Sequence, residues 1–202
     1  MKLFYSTTSP YARLVRVALA EKGLTPIEPQ LTDPWRDDPA LLAANPSARI
    51  PALVLDSGRP LTESLLILLW LETQHPDPSL LGADPAAVLS CAGVAMGAID
   101  AAAAVIIGRK MTDASFDESR VGLRRRRSVI EAMRRLEADP PAWHGATPDL
   151  AVITSVIARD YLRFRFPTAA WLPALPRLDG LSARLCLRPS FAETAPRDMP
   201  AL

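Results

Sequence analysis

A serine and a proline, Ser9 and Pro10, stand where a strand-like run gives way to a helical pattern. Serine accepts hydrogen bonds from the free N–H groups at a helix start, and proline suits the first helical position. The same hydroxyl can donate to an anion, which the positive helix end also favours. On spacing alone, capping is the commoner role. Four neighbouring residues are rival hydroxyl donors: Tyr5, Ser6, Thr7 and Thr8.

A second pair, Glu63 and Ser64, opens another predicted helix. The Glu63 carboxylate can pair with an ammonium group, while Ser64 and the N–H groups behind it can bind a carboxylate. A capped helix with an acidic first turn explains the pair equally well. Arg49, just before Ile50 and Pro51, could bind another carboxylate, although a solvated loop arginine is at least as common.

The composition argues against several other functions. The 202 residues are 49% hydrophobic and 22% charged, as in globular proteins that bury a core. A net charge of +1 gives no overall attraction to nucleic acid or to an anionic membrane. The apolar run from Leu65 to Leu71 is far shorter than a membrane span. Acidic residues flank the arginine-rich stretches 124–127 and 134–135, which favours a solvated helix face there.

The cysteines and histidines indicate neither a metal site nor a disulfide framework. Cys91, Cys186, His75 and His144 match no metal-ligand spacing, so we expect no metal. Two cysteines cannot staple a chain of this size, and a reducing cytoplasmic location is the default expectation. No cysteine lies near the start of the first helix, which disfavours disulfide-exchange chemistry.

The first eighty residues predict a small mixed sheet covered by helices. Strands are predicted at 2–6, 26–31, 51–55 and 60–62, helices from Pro10 to a cap at Gly23 and from Glu63 to Gln74, and an irregular loop over 32–49. The second strand contains Pro26 and Pro29, which suit only an edge or a strand end. A turn is predicted over 56–58.

Beyond a proline-rich linker the pattern becomes entirely helical. Apolar residues at helical spacing predict helices over 86–111, 117–138 and 149–165, and short helices over 175–195. The chain is therefore predicted to have three parts. These are an α/β domain over 1–75, a linker over 76–84 and an all-helical domain over 85–202.

Three motifs in order resemble those of the cytosolic glutathione transferases. They are the opening helix, the loop before the family's cis-proline and the Glu-Ser motif, found here as Ser9–Val17 with Glu21–Gly23, Asn45–Leu53 and Leu61–Ser64. Segments 163–167 and 188–191 resemble bacterial members. Over essentially its whole length, the chain is similar to a bacterial, serine-type member of this family.

The resemblance implies a thioredoxin-like N-terminal domain, an all-helical C-terminal domain and a homodimer. It implies that glutathione is the co-substrate, that no metal takes part and that Ser9 stabilises the glutathione thiolate. The glutathione-binding residues that it implies are Arg49, Ile50, a cis Pro51, Glu63 and Ser64. Small residues that would permit close approach of helices in the dimer are Ala92, Ala95 and Ala102 to Ala104.

By the same resemblance, a small electrophile binds between the domains. Candidate walls of its pocket are Tyr11, Met96 and Tyr161, although Met or Tyr at helical spacing is more often a core residue. Bacterial relatives often carry aspartate where Met96 stands, so this position departs from the family pattern.

Two functions remain open on sequence. The leading hypothesis is a glutathione transferase that acts on a small, hydrophobic electrophile, with no nucleic-acid or membrane partner. The alternative is a transferase-fold protein that binds glutathione weakly or not at all and acts as a regulator through protein contacts.

Overall fold

Four short strands form one mixed sheet in the N-terminal part of the chain. The computed structural model describes residues 1–24, 26–145 and 147–200, so the last two residues of the helical domain predicted over 85–202 lie outside it. The strands are β1 Lys2–Tyr5, β2 Glu28–Leu31, β3 Ala52–Val54 and β4 Pro60–Thr62, in the order β2-β1-β3-β4. β1 pairs parallel with β2 and antiparallel with β3, and β3 pairs antiparallel with β4.

The thioredoxin-like sheet predicted from the sequence is confirmed. β2 lies at an edge, where the missing N–H group of Pro29 is tolerated. Gly58 has φ +81° in the turn between β3 and β4, and Gly23 has φ +65° just after the first helix. Glycine adopts such positive angles at little steric cost, so both residues serve as chain-reversal points.

Three helices accompany this sheet: α1 Pro10–Glu21, α2 Pro39–Ala44 and α3 Ser64–Gln74. The prediction of an irregular loop over 32–49 is wrong at α2. The Asp38 side chain accepts a hydrogen bond from the Ala40 N–H group, and Leu41 is fully buried. Six residues are too few to show helical periodicity, so the sequence pattern missed this element.

The second half is largely helical, as predicted. Its helices are α4 Pro85–Met111, α5 Arg120–Ala138, α6 Leu150–Arg165, α7 Pro176–Leu185 and α8 Pro189–Ala192, with a 3₁₀ turn at Ala114–Glu118. The side chains of Asp84, Ser119 and Asp149 each accept a hydrogen bond from the first turn of the helix that follows. These caps satisfy N–H groups that have no partner inside the helix.

The chain packs as two compact units. One comprises Met1–Leu80 together with the chain from Arg188 onward, and the other comprises Leu81–Leu187. The return of the chain to the first unit after Leu187 has no counterpart in the sequence analysis. It places α8 against α1.

α4 is unusually long and apolar. Among the described residues it is the one helix long and apolar enough to cross a membrane: it has 27 residues, its most apolar 18-residue stretch has a mean hydropathy of 1.9, and half of that stretch is buried within the protein. It packs on α5 and α6. The buried half of this stretch has the apolar composition that a core-facing helix surface requires.

The small residues expected to face a partner subunit are instead mostly buried inside their own unit. Exposed fractions are 4% for Ala92, 0% for Ala95 and Ala102, and 8% for Ala103. Small side chains allow close helix approach, but here the neighbouring helices belong to the same chain. Ala104, the remaining member of the set, is half-buried. The four buried alanines therefore have little surface to offer to a second copy.

A buried ammonium group ties the ends of α1 and α3 to the segment after α3. Lys22 donates to the carbonyl oxygens of His75, at 2.7 Å, and Pro78, at 2.8 Å, and its Nζ lies 2.5 Å from Glu72 Oε1. The Lys22 side chain is fully buried and that of Glu72 is 10% exposed. Glu72 also accepts from the Leu80 N–H group, so the buried charges are paired and hydrogen-bonded.

We expect Lys22→Met to lower the free energy of unfolding by about 3–5 kcal/mol, because it leaves the buried Glu72 carboxylate without its counter-charge. Urea unfolding measures this difference. The matched control is Lys2→Met, since Lys2 forms an exposed pair with Glu28 at 2.9 Å, and it should cost at most about 1 kcal/mol. Equal losses in the two variants would contradict a stabilising role for the buried network.

Candidate functional site

Three loops meet at one end of the sheet because of the strand register. Phe4 of β1 pairs with Ala52 of β3, and Ala52 pairs with Thr62 of β4. The segments that follow β1, precede β3 and follow β4 therefore lie at the same sheet edge, since β3 runs antiparallel to both of its neighbours. These segments carry Ser9, Ile50 with Pro51, and Glu63 with Ser64.

Ser9 caps α1 while its hydroxyl hydrogen stays available for donation to a ligand. Its Oγ accepts a hydrogen bond from the Ala12 N–H group at 3.1 Å. A serine hydroxyl can accept and donate at the same time, so capping leaves its O–H group free to donate. The first turn of α1 contains no acidic residue to neutralise the positive helix end. The capping role and the anion-binding role are therefore compatible in one side chain.

The rival hydroxyl groups have other surroundings. The Thr7 hydroxyl is buried and donates to the Asp198 carbonyl oxygen at 3.3 Å. Ser6 is also buried, with its Oγ 3.4 Å from Thr8 Oγ1. The Tyr5 ring is covered by the Arg16 guanidinium group, whose carbon lies 4.7 Å from the ring centroid. Among the five, Ser9 is the residue whose hydroxyl lies at the helix cap.

The backbone of Ile50 lies at this edge of the sheet, while its side chain packs into the protein interior. The Ile50–Pro51 peptide bond is cis, as the resemblance implied. The Ile50 side chain packs against a buried cluster formed by Phe4, Leu41, Ala44 and Ala52. Within the described parts of the chain, the N–H and C=O groups of Ile50 have no hydrogen-bond partner. An extended peptide could pair with them as an added strand does.

Asn45 holds the loop before Ile50 and was not singled out as a functional residue from the sequence. It is buried, its Nδ2 donates to the Arg49 carbonyl oxygen at 2.9 Å, and its Oδ1 accepts from the Ser47 N–H group at 3.1 Å. An asparagine before a proline is a known turn signal, so the Asn45–Pro46 pair could have indicated from the sequence that Asn45 shapes this loop.

Glu63 adopts a strained backbone conformation directly before α3. Its φ is +63°, in a region that residues other than glycine seldom occupy. Such strain costs about 1–3 kcal/mol and clusters at functional sites. α3 begins at Ser64, one residue later than predicted, and Glu63 provides no side-chain cap. The first N–H groups of α3 are thus left open to a ligand, with the buried Ser64 hydroxyl beside them.

Arg49 and Glu63 come from two of these loops and approach each other. Arg49 Nη1 lies 3.8 Å from Glu63 Oε1, and the two side chains are 74% and 60% exposed. An exposed pair at this distance is weak and screened by solvent. Both charged groups can therefore exchange partners for those of a ligand at little cost.

The candidate electrophile-site residues are distributed over both units. Tyr11 is half-buried on α1, whereas Met96 on α4 and Tyr161 on α6 are 8% and 5% exposed. Burial raises the pKa of the Tyr161 hydroxyl, so this group stays protonated at neutral pH. Their role as pocket walls stays a prediction.

The cysteines and the acidic groups suggest no other chemistry. Cys91 and Cys186 are free thiols, and neither belongs to the unit that carries Ser9. Burial raises the pKa of the Cys91 thiol, which disfavours a reactive thiolate there. In the described ranges, no group of three or more His, Cys, Asp or Glu side chains is arranged to hold a metal ion.

An open groove of about 500 Å³ lies at the opposite end of the sheet. Its walls include Met1, Ala40, Val54 and Pro60. None of the predicted site residues lines it. The Lys2–Val54–Pro60 register places this groove away from the edge where the three loops meet.

Similar proteins are known over all or part of this chain. Residues 3–79 match the family described as glutathione S-transferase, N-terminal domain. The chain is 30% identical over 201 residues to the uncharacterized GST-like protein YibF of Escherichia coli K12, covering 97% of this chain and 98% of that protein. It is 31% identical over 215 residues to maleylacetoacetate isomerase of Pseudomonas aeruginosa, covering 99% and 98% of the two chains.

A solved structure matches the whole chain as well. The crystal structure of a glutathione S-transferase from Methylobacterium radiotolerans, in complex with glutathione sulfonate, has a TM-score of 0.88 and 34% identity, covering 100% of this chain and 97% of that one. The fold, the order of the motifs and the full-length relatives all agree, and the chain belongs to the cytosolic glutathione transferase family.

Proposed function

We propose that this protein is a serine-type glutathione transferase that binds glutathione, stabilises its thiolate and promotes attack of the sulfur on a small hydrophobic electrophile. The observation that carries the proposal is the meeting of three sequence-distant loops at one sheet edge, with a capping hydroxyl that can still donate. The relative of known structure that matches the whole chain binds a glutathione derivative, which supports the same conclusion.

Each end of glutathione has a matching group in the proposed site. The peptide backbone of the ligand pairs with the open N–H and C=O groups of Ile50. The γ-glutamyl end carries an ammonium beside a carboxylate, which Glu63 and the Ser64 end of α3 complement. The glycyl carboxylate pairs with Arg49, whose exposed guanidinium leaves Glu63 for the ligand.

Ser9 acts by favouring the ionised sulfur. A free thiol has a pKa near 8.5, and lowering it by about two units needs about 2.7 kcal/mol of preferential anion stabilisation. A hydrogen bond to a charged group contributes about 1.5–3 kcal/mol. The helix end adds about 0.3–1 kcal/mol. Together the hydroxyl and the helix contribute about 1.8–4 kcal/mol, a range that includes the stabilisation needed.

The chemistry needs no further co-reactant. The thiol loses its proton to solvent, the sulfur electron pair forms a bond to the electrophilic carbon, and a leaving group such as halide departs with the bonding pair. Isomerisation is a second candidate, because a full-length relative is a maleylacetoacetate isomerase. In that reaction the sulfur adds to an activated double bond, the resulting single bond rotates, and elimination restores the thiolate.

We also propose a homodimer built on α3. Leu65, Leu66 and Leu69 are 49%, 60% and 61% exposed, while Ile67 and Leu68 on the same helix are buried. A helix that is apolar on every side is normally covered on every side. This surface, and not the small residues of α4, is the proposed contact with a second copy.

The free thiols of Cys91 and Cys186 support the proposed cytoplasmic location.

We expect Ser9→Gly to lower kcat/KM for conjugation of an aromatic halide about 10- to 150-fold, because it removes a hydrogen bond to a charged sulfur. Glycine is chosen because it costs only a few tenths of a kcal/mol at a helix cap, so α1 should persist. Thr8→Val is the control and should retain the rate. A larger loss in Thr8→Val than in Ser9→Gly would transfer the role to Thr8.

Glu63→Gln should weaken glutathione binding about fivefold, the upper range for an exposed charge pair, and leave kcat nearly unchanged. Calorimetric titration measures the affinity. Glu28→Gln is the matched control, since the Glu28 side chain is 63% exposed and lies on the edge strand. If the unaltered protein showed no binding of glutathione by calorimetry and passed straight through a resin carrying immobilised glutathione, the non-catalytic, regulatory alternative would be favoured.

Leu66→Glu should convert the dimer to a monomer at micromolar concentration, because it places a charge in an apolar contact. Light scattering gives the mass. Leu187→Glu is the control, since Leu187 is 85% exposed outside α3, and it should keep the mass of the unaltered protein. A monomeric unaltered protein would remove the dimer proposal.

A further inference from the structure

Residues 188–199 run along α1 in the opposite direction. Near the C-terminal end of α1, Arg188 binds the Glu21 carboxylate through two hydrogen bonds, at 2.9 and 2.6 Å, and Ser190 also donates to it. The Glu21 side chain is 3% exposed in this arrangement. The segment that begins at Arg188 is therefore anchored at the helix end farthest from Ser9.

Further contacts continue towards the N-terminus of α1. Arg16 donates to the Glu193 carbonyl oxygen at 3.3 Å. The buried Arg13 donates to the Phe191 carbonyl oxygen and to Thr194 Oγ1, both at 3.4 Å. The segment thus follows the helix for its whole length.

The segment ends on Thr7, in the turn that leads to Ser9. The Arg197 N–H group donates to the Thr7 carbonyl oxygen at 3.3 Å, Thr7 Oγ1 donates to the Asp198 carbonyl oxygen at 3.3 Å, and the Thr7 N–H group donates to Met199 Sδ at 3.4 Å. All three polar groups of the buried Thr7 are therefore occupied by three consecutive tail residues. In the described chain, the bond from Arg197 is the one backbone–backbone hydrogen bond made by residues 6–8.

We propose that the tail segment 197–199 is a positioning element that holds the β1–α1 turn and thereby aims the Ser9 hydroxyl at the glutathione sulfur. The inference rests on the proposed role of Ser9. Without the tail, the polar groups of Thr7 must find water or rearrange, and the turn before Ser9 loses the one backbone–backbone hydrogen bond that residues 6–8 make within the described residues. A Ser9 hydroxyl that samples several orientations stabilises the thiolate less, so the pKa of the thiol of bound glutathione rises.

The experiment uses the full chain, a chain ending at Pro196, and two conservative variants. Thr7→Val removes the hydroxyl donor, and Met199→Leu removes the sulfur acceptor with little change in volume. Asp198→Ala is the matched control, since the tail uses the carbonyl oxygen of Asp198 and its side chain is exposed. The readouts are the ultraviolet absorbance of the bound thiolate against pH and the pH profile of kcat/KM.

We expect the shortened chain to raise the bound thiol pKa by about one unit, which lowers kcat/KM about tenfold at pH values below it. Thr7→Val and Met199→Leu should shift the pKa in the same direction by less, and Asp198→Ala should not shift it. Glutathione affinity should change little, because the hydrogen bonds described for residues 197–199 go to Thr7 and not to the proposed peptide-binding residues. In a Ser9→Gly background, shortening the chain should add no further shift.

Each other outcome has a definite meaning. An unchanged pKa in the shortened chain and in both conservative variants, with a raised pKa in Ser9→Gly, overturns the tail inference and leaves the proposed function standing. An unchanged pKa in Ser9→Gly overturns the role of Ser9, and the tail inference falls with it. If the shortened chain does not fold, Thr7→Val and Met199→Leu decide the question.

Discussion

The pairing of β1 with β3, and of β3 with β4, is the constraint on which the proposed site depends. These strands are only three or four residues long, so hydrogen bonds alone specify their register weakly. Ala52 and Leu53 are fully buried on opposite faces of the sheet, so a slip of one residue would place the larger side chain in the space packed around the smaller one, and packing therefore selects the register. The same register aligns the loops that carry Ser9, Ile50 and Glu63.

Two helix ends then supply the electrostatics at this edge. α1 and α3 both begin without an acidic residue inside their first turn, so their partial positive charges are not neutralised by their own side chains. At α1 the cap occupies the acceptor side of Ser9. At α3 the left-handed conformation of Glu63 leaves the first N–H groups uncapped and its carboxylate exposed. The strain is sustained because β4 before it is paired with β3 and the buried face of α3 after it is held by packing.

α1 is secured at both ends by partners that are distant in sequence. At its C-terminal end, Lys22 and Glu21 enter buried ion pairs with Glu72 and Arg188. At its N-terminal end, residues 197–199 form hydrogen bonds with the polar groups of Thr7. A helix with one face in the core and both ends tethered has little freedom to rotate or slide. This rigidity is what a precisely oriented hydroxyl requires.

Local signals in the sequence determined most of the elements and the family. Apolar strand runs, the Ser9–Pro10 helix start, the glycine turns and the helical periodicity after the linker are all properties of neighbouring residues, and the structure confirms the elements they predict. Because these signals act only between neighbouring residues, they did not predict α2, whose six residues are too few to show a period. They also placed the start of α3 one residue too early, because the backbone of Glu63 is set by its tertiary surroundings.

Only the tertiary structure decided which distant groups meet. Ala92, Ala95 and Ala102 have the composition of an interface, yet their own chain covers them, since composition does not specify which helix packs on a small-residue face. The contact of Arg197 to Met199 with Thr7 spans almost the whole chain and leaves no periodic trace in either segment. Sequence patterns report what each residue does to its neighbours, whereas the juxtaposition of remote loops depends on how the buried surfaces of the whole chain fit together.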